Sequence, residues 1–492
     1  MRRKLPIFYS ALLLTAVNLL LRFVSTSFQV YLSARIGASG IGLLQLVLSV
    51  SALSMTAAMA GIRTGSMYLT AEELGKKRPG NIKWVLGGCF TYSLAISILI
   101  SLAINLSAPW LAQHWVGNGD TVLPIRLFAC FLPVICLCGV MTGYFTAANR
   151  IGTLAAVEIA EQFISMAVTM AALSLWAGHD PVKACCAVAL GGGIGACLTL
   201  GCLLLLRFRE KSPKSPRIPI RRRLFHIAVP LALADDLKSG INTAENLMVP
   251  KRLALYPGAW DPLAAFGTVC GMVFPVLMFP AAIIYALAEL LIPELARCAA
   301  AGSHSRIQYL VRRGLRFATV YGCLFCGLLF LWAEPLCLRL YNSTDAGTYL
   351  RLYAPMIPML YCDAITDAMT KGLGQQEANV RYNIITSVLD VAVLYLLLPK
   401  YGMNGYLFSF FVTHLLNFLL SLRRLMKITG KAFPLKTPAL CLGSLFLAVG
   451  IAGFVPQGLL QGMCFTILLG CLMFLSGVLK KEDALWVKGL VN

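Results

Sequence analysis

The chain has 492 residues, 58% of them hydrophobic and only 13% charged, with a formal net charge of +21. A water-soluble chain of this length needs far more polar surface, so the composition excludes a soluble enzyme or binding domain and indicates a polytopic membrane protein.

Apolar windows of about 20 residues, the length that spans a bilayer, predict about fourteen transmembrane helices. The first six lie near 6–34, 41–70, 84–106, 122–147, 153–176 and 183–206. The opening Met1-Arg2-Arg3-Lys4 imitates a signal peptide, but the apolar run behind it is too long and lacks a small-residue cleavage pattern. It reads as a retained first helix. Residues 207–223 are polar and basic, contain Pro213, Pro216 and Pro219, and are too short to hold a domain. Six further helices are predicted near 224–250, 262–292, 314–333, 348–370, 382–398 and 404–424, and a last pair near 437–455 and 458–479. The resulting division is an N-terminal six-helix bundle (1–206), a basic cytoplasmic linker (207–223), a C-terminal six-helix bundle (224–431), and two extra transmembrane helices with a cytoplasmic tail (432–492).

An eight-residue phrase supports a duplication. Arg126-Leu127-Phe128-Ala129-Cys130-Phe131-Leu132-Pro133 is echoed by Arg351-Leu352-Tyr353-Ala354-Pro355-Met356-Ile357-Pro358. Each copy opens the fourth helix of its run. An even number of helices per repeat gives both halves the same orientation, so they form parallel repeats about an axis along the membrane normal. Membrane proteins built this way bind their cargo between equivalent halves, which points toward transport.

The positive charge follows the membrane. With the N-terminus in the cytoplasm, cytoplasmic ends and loops hold 31 of the 42 Lys and Arg residues. That bias places both termini in the cytoplasm. The cluster from Arg207 to Arg223 reads as a topology anchor facing anionic lipid rather than a nucleic-acid surface. Eight more of the 42 sit in external loops or at helix ends, and three, Arg22, Arg63 and Lys238, lie within the membrane away from the ends of the predicted spans.

Several polar residues form stripes at helical spacing. The first helix aligns Thr15, Asn18, Arg22, Ser25 and Gln29, and the second aligns Ser49, Thr56, Arg63 and Thr70. The seventh carries Asp235, Lys238, Asn242, Glu245 and Asn246. Glu158, Glu161 and Gln162 lie in the fifth, Asp363 and Asp367 in the tenth, and Asn383, Ser387 and Asp390 in the eleventh. A charge at the bilayer centre costs at least about 2.5–3.5 kcal/mol. Such groups therefore face a wet cavity or pair with one another to lock the bundle. The helices of Arg22 and Arg63 supply no carboxylate of comparable depth, whereas Asp235 or Glu245 could neutralise Lys238 locally. Unpaired cations suit an anion, and the arginine fork suits phosphate oxygens. Arg22, Arg63, Lys238, Asn18, Gln29 and Asn242 are thus the candidate substrate-binding set. Asp235, Glu245, Asp363, Asp367 and Asp390 are the candidates for coupling to H⁺ or Na⁺.

Other signals carry nothing. No GxxxxGK[ST] motif is present, so the chain has no ATP motor of that type. Gly191-Gly192-Gly193-Ile194-Gly195 lies inside a helix and suits close packing. The 17 Cys fall mostly within helices, where they act as small apolar residues. Cys323 and Cys326 have no second ligand pair, the five His show no metal spacing, and no catalytic arrangement can be argued. No cofactor or enzymatic activity is expected.

The sequence resembles the multidrug/oligosaccharidyl-lipid/polysaccharide exporter superfamily, and within it the stage V sporulation protein B-like polysaccharide flippases, relatives of the lipid II flippases. The likeness lies in Ala38-Ser39-Gly40-Ile41-Gly42-Leu43-Leu44-Gln45, Gly143-Tyr144-Phe145, Glu161-Gln162, Val249-Pro250-Lys251-Arg252-Leu253, Gly271-Met272-Val273-Phe274-Pro275, Gly372-Leu373-Gly374-Gln375-Gln376 and, most specifically, Pro399-Lys400-Tyr401-Gly402-Met403-Asn404-Gly405-Tyr406. It implies two six-helix bundles in a V, two extra helices whose groove takes a lipid tail, and translocation of undecaprenyl-linked saccharides in cell-wall or spore-envelope assembly. Partners implied are a lipid-linked saccharide, membrane lipids and cell-wall synthesis enzymes. The family often has Gly-Ile-Pro where this chain has Gly61-Ile62-Arg63, so Arg63 rests on the cavity argument alone. Two rival readings stay open. A cation-coupled multidrug exporter of the same fold wants a carboxylate-lined first half, and a non-transporting scaffold would tolerate loss of the buried arginines.

Overall fold

The computed structural model describes residues 7–59, 61–209, 220–258, 261–430, 436–456 and 458–479. Among these residues every regular element is a helix, as a bilayer requires of any segment that must satisfy its own backbone groups. Eight helices are long and apolar enough to cross a membrane, and one bent pair adds a ninth candidate among the described residues.

The first unit begins with α1 (Ile7–Met59), a 53-residue run. At about 1.5 Å per residue it is far longer than one bilayer crossing. Gly37, at φ 69° and ψ −178°, divides it. The two predicted helices 6–34 and 41–70 therefore join through a kink, without a loop. The second was expected to run unbroken through residue 70. It instead ends at Met59, and α2 (Ile62–Gly75) starts beyond Gly61. Then come α3 (Ile82–Trp110), α4 (Val122–Ala147), α5 (Ile151–Ala172), α6 (Pro181–Phe208), α7 (Arg221–Leu253) and α8 (Pro262–Gly267).

Gly61 explains the break. It sits at φ 69°, ψ 7°, in the left-handed region, and a Cβ there would stand 2.5 Å from the Ala228 carbonyl oxygen of α7. The backbone of the break thus lies against the backbone of α7. Beyond it, Ile62, Leu69, Val85, Val140, Phe145 and Ala228 share one buried cluster, so α2 is held by α3, α4 and α7 together. Packing of this kind, rather than the hydrophobic effect, joins helices in lipid.

Compact grouping of the chain gives two units, Met1–Gly267 and Thr268–Asn492. The helix α7, expected to open the C-terminal bundle, packs with the first unit. A polar seam is the reason. Thr243 donates to the Ser49 carbonyl at 3.1 Å, Asn246 donates to Ser49 Oγ at 3.0 Å, and the Thr56 and Ser239 hydroxyls meet at 3.2 Å. The sequence boundary within 207–223 concerns the repeat, and packing divides the chain later.

An ion-pair cluster also ties α2 to α7. Arg223 in the first turn of α7 binds Glu72, and its Nη1 lies 3.2 Å from Glu73 Oε1. The Glu73 side chain is 4% exposed and accepts a second hydrogen bond from Asn81 at 2.7 Å. Removing the guanidinium leaves that carboxylate underpaired, so Arg223→Ala is expected to cost about 2 kcal/mol. A lowered melting temperature in detergent, largely recovered by Arg223→Lys, would be the signature.

The second unit contains α9 (Phe274–Met278), α10 (Ala281–Ala300), α11 (His304–Leu331), α12 (Ala333–Tyr341), α13 (Thr344–Tyr353), α14 (Ile357–Gly372), α15 (Gln376–Tyr401), α16 (Met403–Thr429), α17 (Lys436–Ala452) and α18 (Leu459–Leu475). Two predicted spans are interrupted here. The run expected at 262–292 is bent by 61° where α9 meets α10, at Pro280. The run expected at 348–370 is broken by a 3-10 turn, Ala354–Met356, centred on Pro355. Proline removes a helical donor and clashes with the preceding turn, which accounts for both.

Candidate functional site

The break at Gly61 brings four of the predicted residues to one place. Arg63, Asp235, Lys238 and Asn242 line a cavity of about 370 Å³ together with Met55 and Thr56. It is bounded by the end of α1, the start of α2 and the middle of α7. Spacings of three and four put Asp235, Lys238 and Asn242 on one face of α7. The adjoining face, with Ser239, Thr243 and Asn246, makes the seam to α1. The predicted α7 stripe therefore splits, part toward the cavity and part into packing.

The electrostatics favour an anion. Arg63 and Lys238 are both exposed within the first unit. Among the described residues neither has a carboxylate within ion-pair distance. The local neutralisation of Lys238 by Asp235, open from the sequence, is not realised as a contact. Ile62, Arg63 and Thr64 are the first residues of the 14-residue α2, and Gly61 offers no side-chain cap. The first turn of a helix carries unshared N–H groups and the positive end of its dipole, and it adds to the two cations. Glu158 of α5, half-buried, lies within electrostatic reach of Arg63. The sequence shows Glu158 as one polar residue among three and gives no sign of this proximity, because it depends on how α5 packs.

The remaining candidates lie elsewhere. Arg22 and Gln29 are half-buried on α1 and do not line this cavity, nor does the half-buried Glu245. The Asn18 side chain falls outside the described residues. Asp363, Asp367 and Asp390 belong to the second unit. There the Asn417 amide stands 3.3 Å from both Asp363 oxygens, and Lys371 pairs with Asp367 at 3.3 Å. Asp390 is buried and accepts from Ser409 at 2.5 Å and from Thr413 at 3.1 Å. These two hydrogen bonds link α15 to α16. Among the described residues no group of three or more His, Cys, Asp or Glu could hold a metal.

A many-helix membrane protein with a charged cavity built on an interrupted helix is a transporter in class. The family model described as lipid II flippase MurJ matches residues 77–474, and the chain belongs to that family. It is a multi-pass membrane flippase or transporter, not an enzyme. Stage V sporulation protein B of Bacillus subtilis (strain 168) is 20% identical over 466 residues, covering 92% of this chain and 89% of that protein. In fold, the chain resembles a lipid II flippase MurJ in an inward closed conformation, at TM-score 0.66 and 12% identity over 98% of this chain and 100% of the other. An inward-facing multidrug resistance MATE family transporter gives TM-score 0.65 and 13% identity over 86% of this chain and 98% of the other. The resemblance read from the sequence holds at the level of family and fold.

Proposed function

We propose that the chain carries a lipid-linked saccharide of the undecaprenyl-pyrophosphate type, an oligosaccharide or peptidoglycan precursor, across the bacterial cytoplasmic membrane. The supporting observation is the Arg63 and Lys238 pair on one cavity with the first turn of α2. The Arg63 guanidinium fork, the Lys238 ammonium and the first-turn N–H groups of α2 match the oxygens of a pyrophosphate. Asn242 and Thr56 are the hydroxyl-binding neighbours for the sugar. Arg22, Gln29 and Asn18 contribute from α1 at other stages of an alternating-access cycle. The name of the family, lipid II flippase, agrees with this class of cargo.

With both termini in the cytoplasm, an inside-negative potential favours outward movement of an anionic headgroup by about 2.3 kcal/mol per charge per 100 mV. Asp235, Glu245, Asp363, Asp367 and Asp390 are the carboxylates proposed to take H⁺ or Na⁺ during resetting. Purified protein in liposomes, given a fluorescent undecaprenyl-pyrophosphoryl saccharide on one leaflet, should make about half of it accessible from the other. No redistribution beyond protein-free liposomes would refute the reading. Transport of cationic dyes alone would favour a multidrug exporter.

A further inference from the structure

A second cavity adjoins the first. It measures about 310 Å³, lies between the C-terminal part of α1 and helices α3 and α4, and is lined by Leu48, Ala52, Met55, Ile104, Phe128 and Ile135 among others. Its lining is almost wholly apolar. The two hydroxyl residues on its wall do not alter that. Ser51 and Ser54 donate to the carbonyls of Val47 and Val50 at 2.8 Å each and turn no free donor to the space. Met55 lines both cavities, so its flexible thioether side chain belongs to the wall of the cationic chamber and of the apolar one. Methionine is unbranched and readily repacks.

We infer that this apolar cavity takes the first isoprenoid units of the lipid carrier while its pyrophosphate sits at Arg63 and Lys238. The inference deepens the proposed function and rests on it. The shared Met55 wall, which sets an apolar space next to a cationic one, selects this occupant. An isoprenoid diphosphate is apolar from its first carbons onward and joins directly to two phosphates, the same order in which the two chambers meet. A phospholipid would instead place polar ester groups beside its phosphate, opposite a wall that offers no free donor. The protein would then read the junction of tail and headgroup, not the sugar alone.

The test compares inorganic pyrophosphate with geranyl diphosphate on the full chain in detergent, by calorimetry. Geranyl diphosphate is expected to bind at least about tenfold tighter, from burial of its ten carbons. Ala52→Phe, which fills the apolar cavity from its wall, should erase that gain and leave pyrophosphate affinity within about twofold. Equal affinities for the two ligands, or a gain that survives Ala52→Phe in folded protein, would overturn the inference. Failure of pyrophosphate itself to bind would instead refute the cationic site beneath it. A geranyl diphosphate analogue with a diazirine on its tail adds a readout on the unaltered protein. Labelling within 48–55 and 125–135 is expected, and labelling confined to 436–475 would place the first isoprenoid units elsewhere.

Discussion

Arg63→Ala is expected to reduce translocation of a lipid-linked saccharide at least about 100-fold while the protein stays folded in the membrane. The magnitude follows from the contacts at stake. Each hydrogen bond between charged partners contributes about 1.5–3 kcal/mol, and a bidentate guanidinium makes two. Every 1.4 kcal/mol is about a tenfold change. Arg63→Lys keeps the charge but loses the fork, and should recover only part of the rate. Lys238→Ala, which removes a point charge beside Asp235, should cost less, about tenfold. Leaflet accessibility in liposomes, with protein quantified in parallel, measures all three. Full activity in the Arg63→Ala, Lys238→Ala double variant would falsify the cationic site.

Glu158 separates two explanations of that loss. It lies within electrostatic reach of Arg63, so Arg63→Ala also strips a half-buried carboxylate of a nearby cation. If Arg63 only neutralises Glu158, then Arg63→Ala combined with Glu158→Gln should restore transport. If Arg63 binds the cargo, the double variant stays inactive. We expect the second result, because Arg63 is exposed on the cavity and has no ion pair within the described residues.

The architecture was legible wherever hydropathy alone decides it. Windows of apolar residues locate α3, α4 and α6 within a few residues of their observed ends, because a helix is the way such a segment satisfies its backbone in lipid. The break at Gly61 escaped the same windows. A window of that length averages across one glycine, and the cause of the break, the Ala228 carbonyl on a helix 167 positions later, has no local trace. The division of the α7 stripe was hidden in the same way. Its polar residues were visible, but whether Asn246 faces a cavity or bonds Ser49 is a property of the packed pair. The carboxylates show the limit most clearly. Asp235 and Asp390 look alike in sequence, yet one lines open space and the other accepts two hydroxyl donors from α16.

Gly61→Ala tests whether the break itself builds the site. A non-glycine residue in the left-handed region costs about 1–2 kcal/mol. A Cβ at 2.5 Å from the Ala228 oxygen adds a collision with backbone, which cannot rotate away as a side chain can. Relief requires α2 to move from α7, and that movement carries Ile62, Arg63 and Thr64 out of the cavity wall they share with Lys238. The expected result is a loss of more than about 3 kcal/mol in stability, seen as a lower melting temperature, together with loss of transport. Gly75→Ala at the other end of α2 is the matched comparison. No neighbour stands within 4 Å of a Cβ there, and alanine is the better helix former, so melting and transport should hold or improve. Were Gly61→Ala to melt and transport like the parent while Gly75→Ala did the same, a continuous second helix would serve equally well. The anion site would then owe nothing to the first turn of α2.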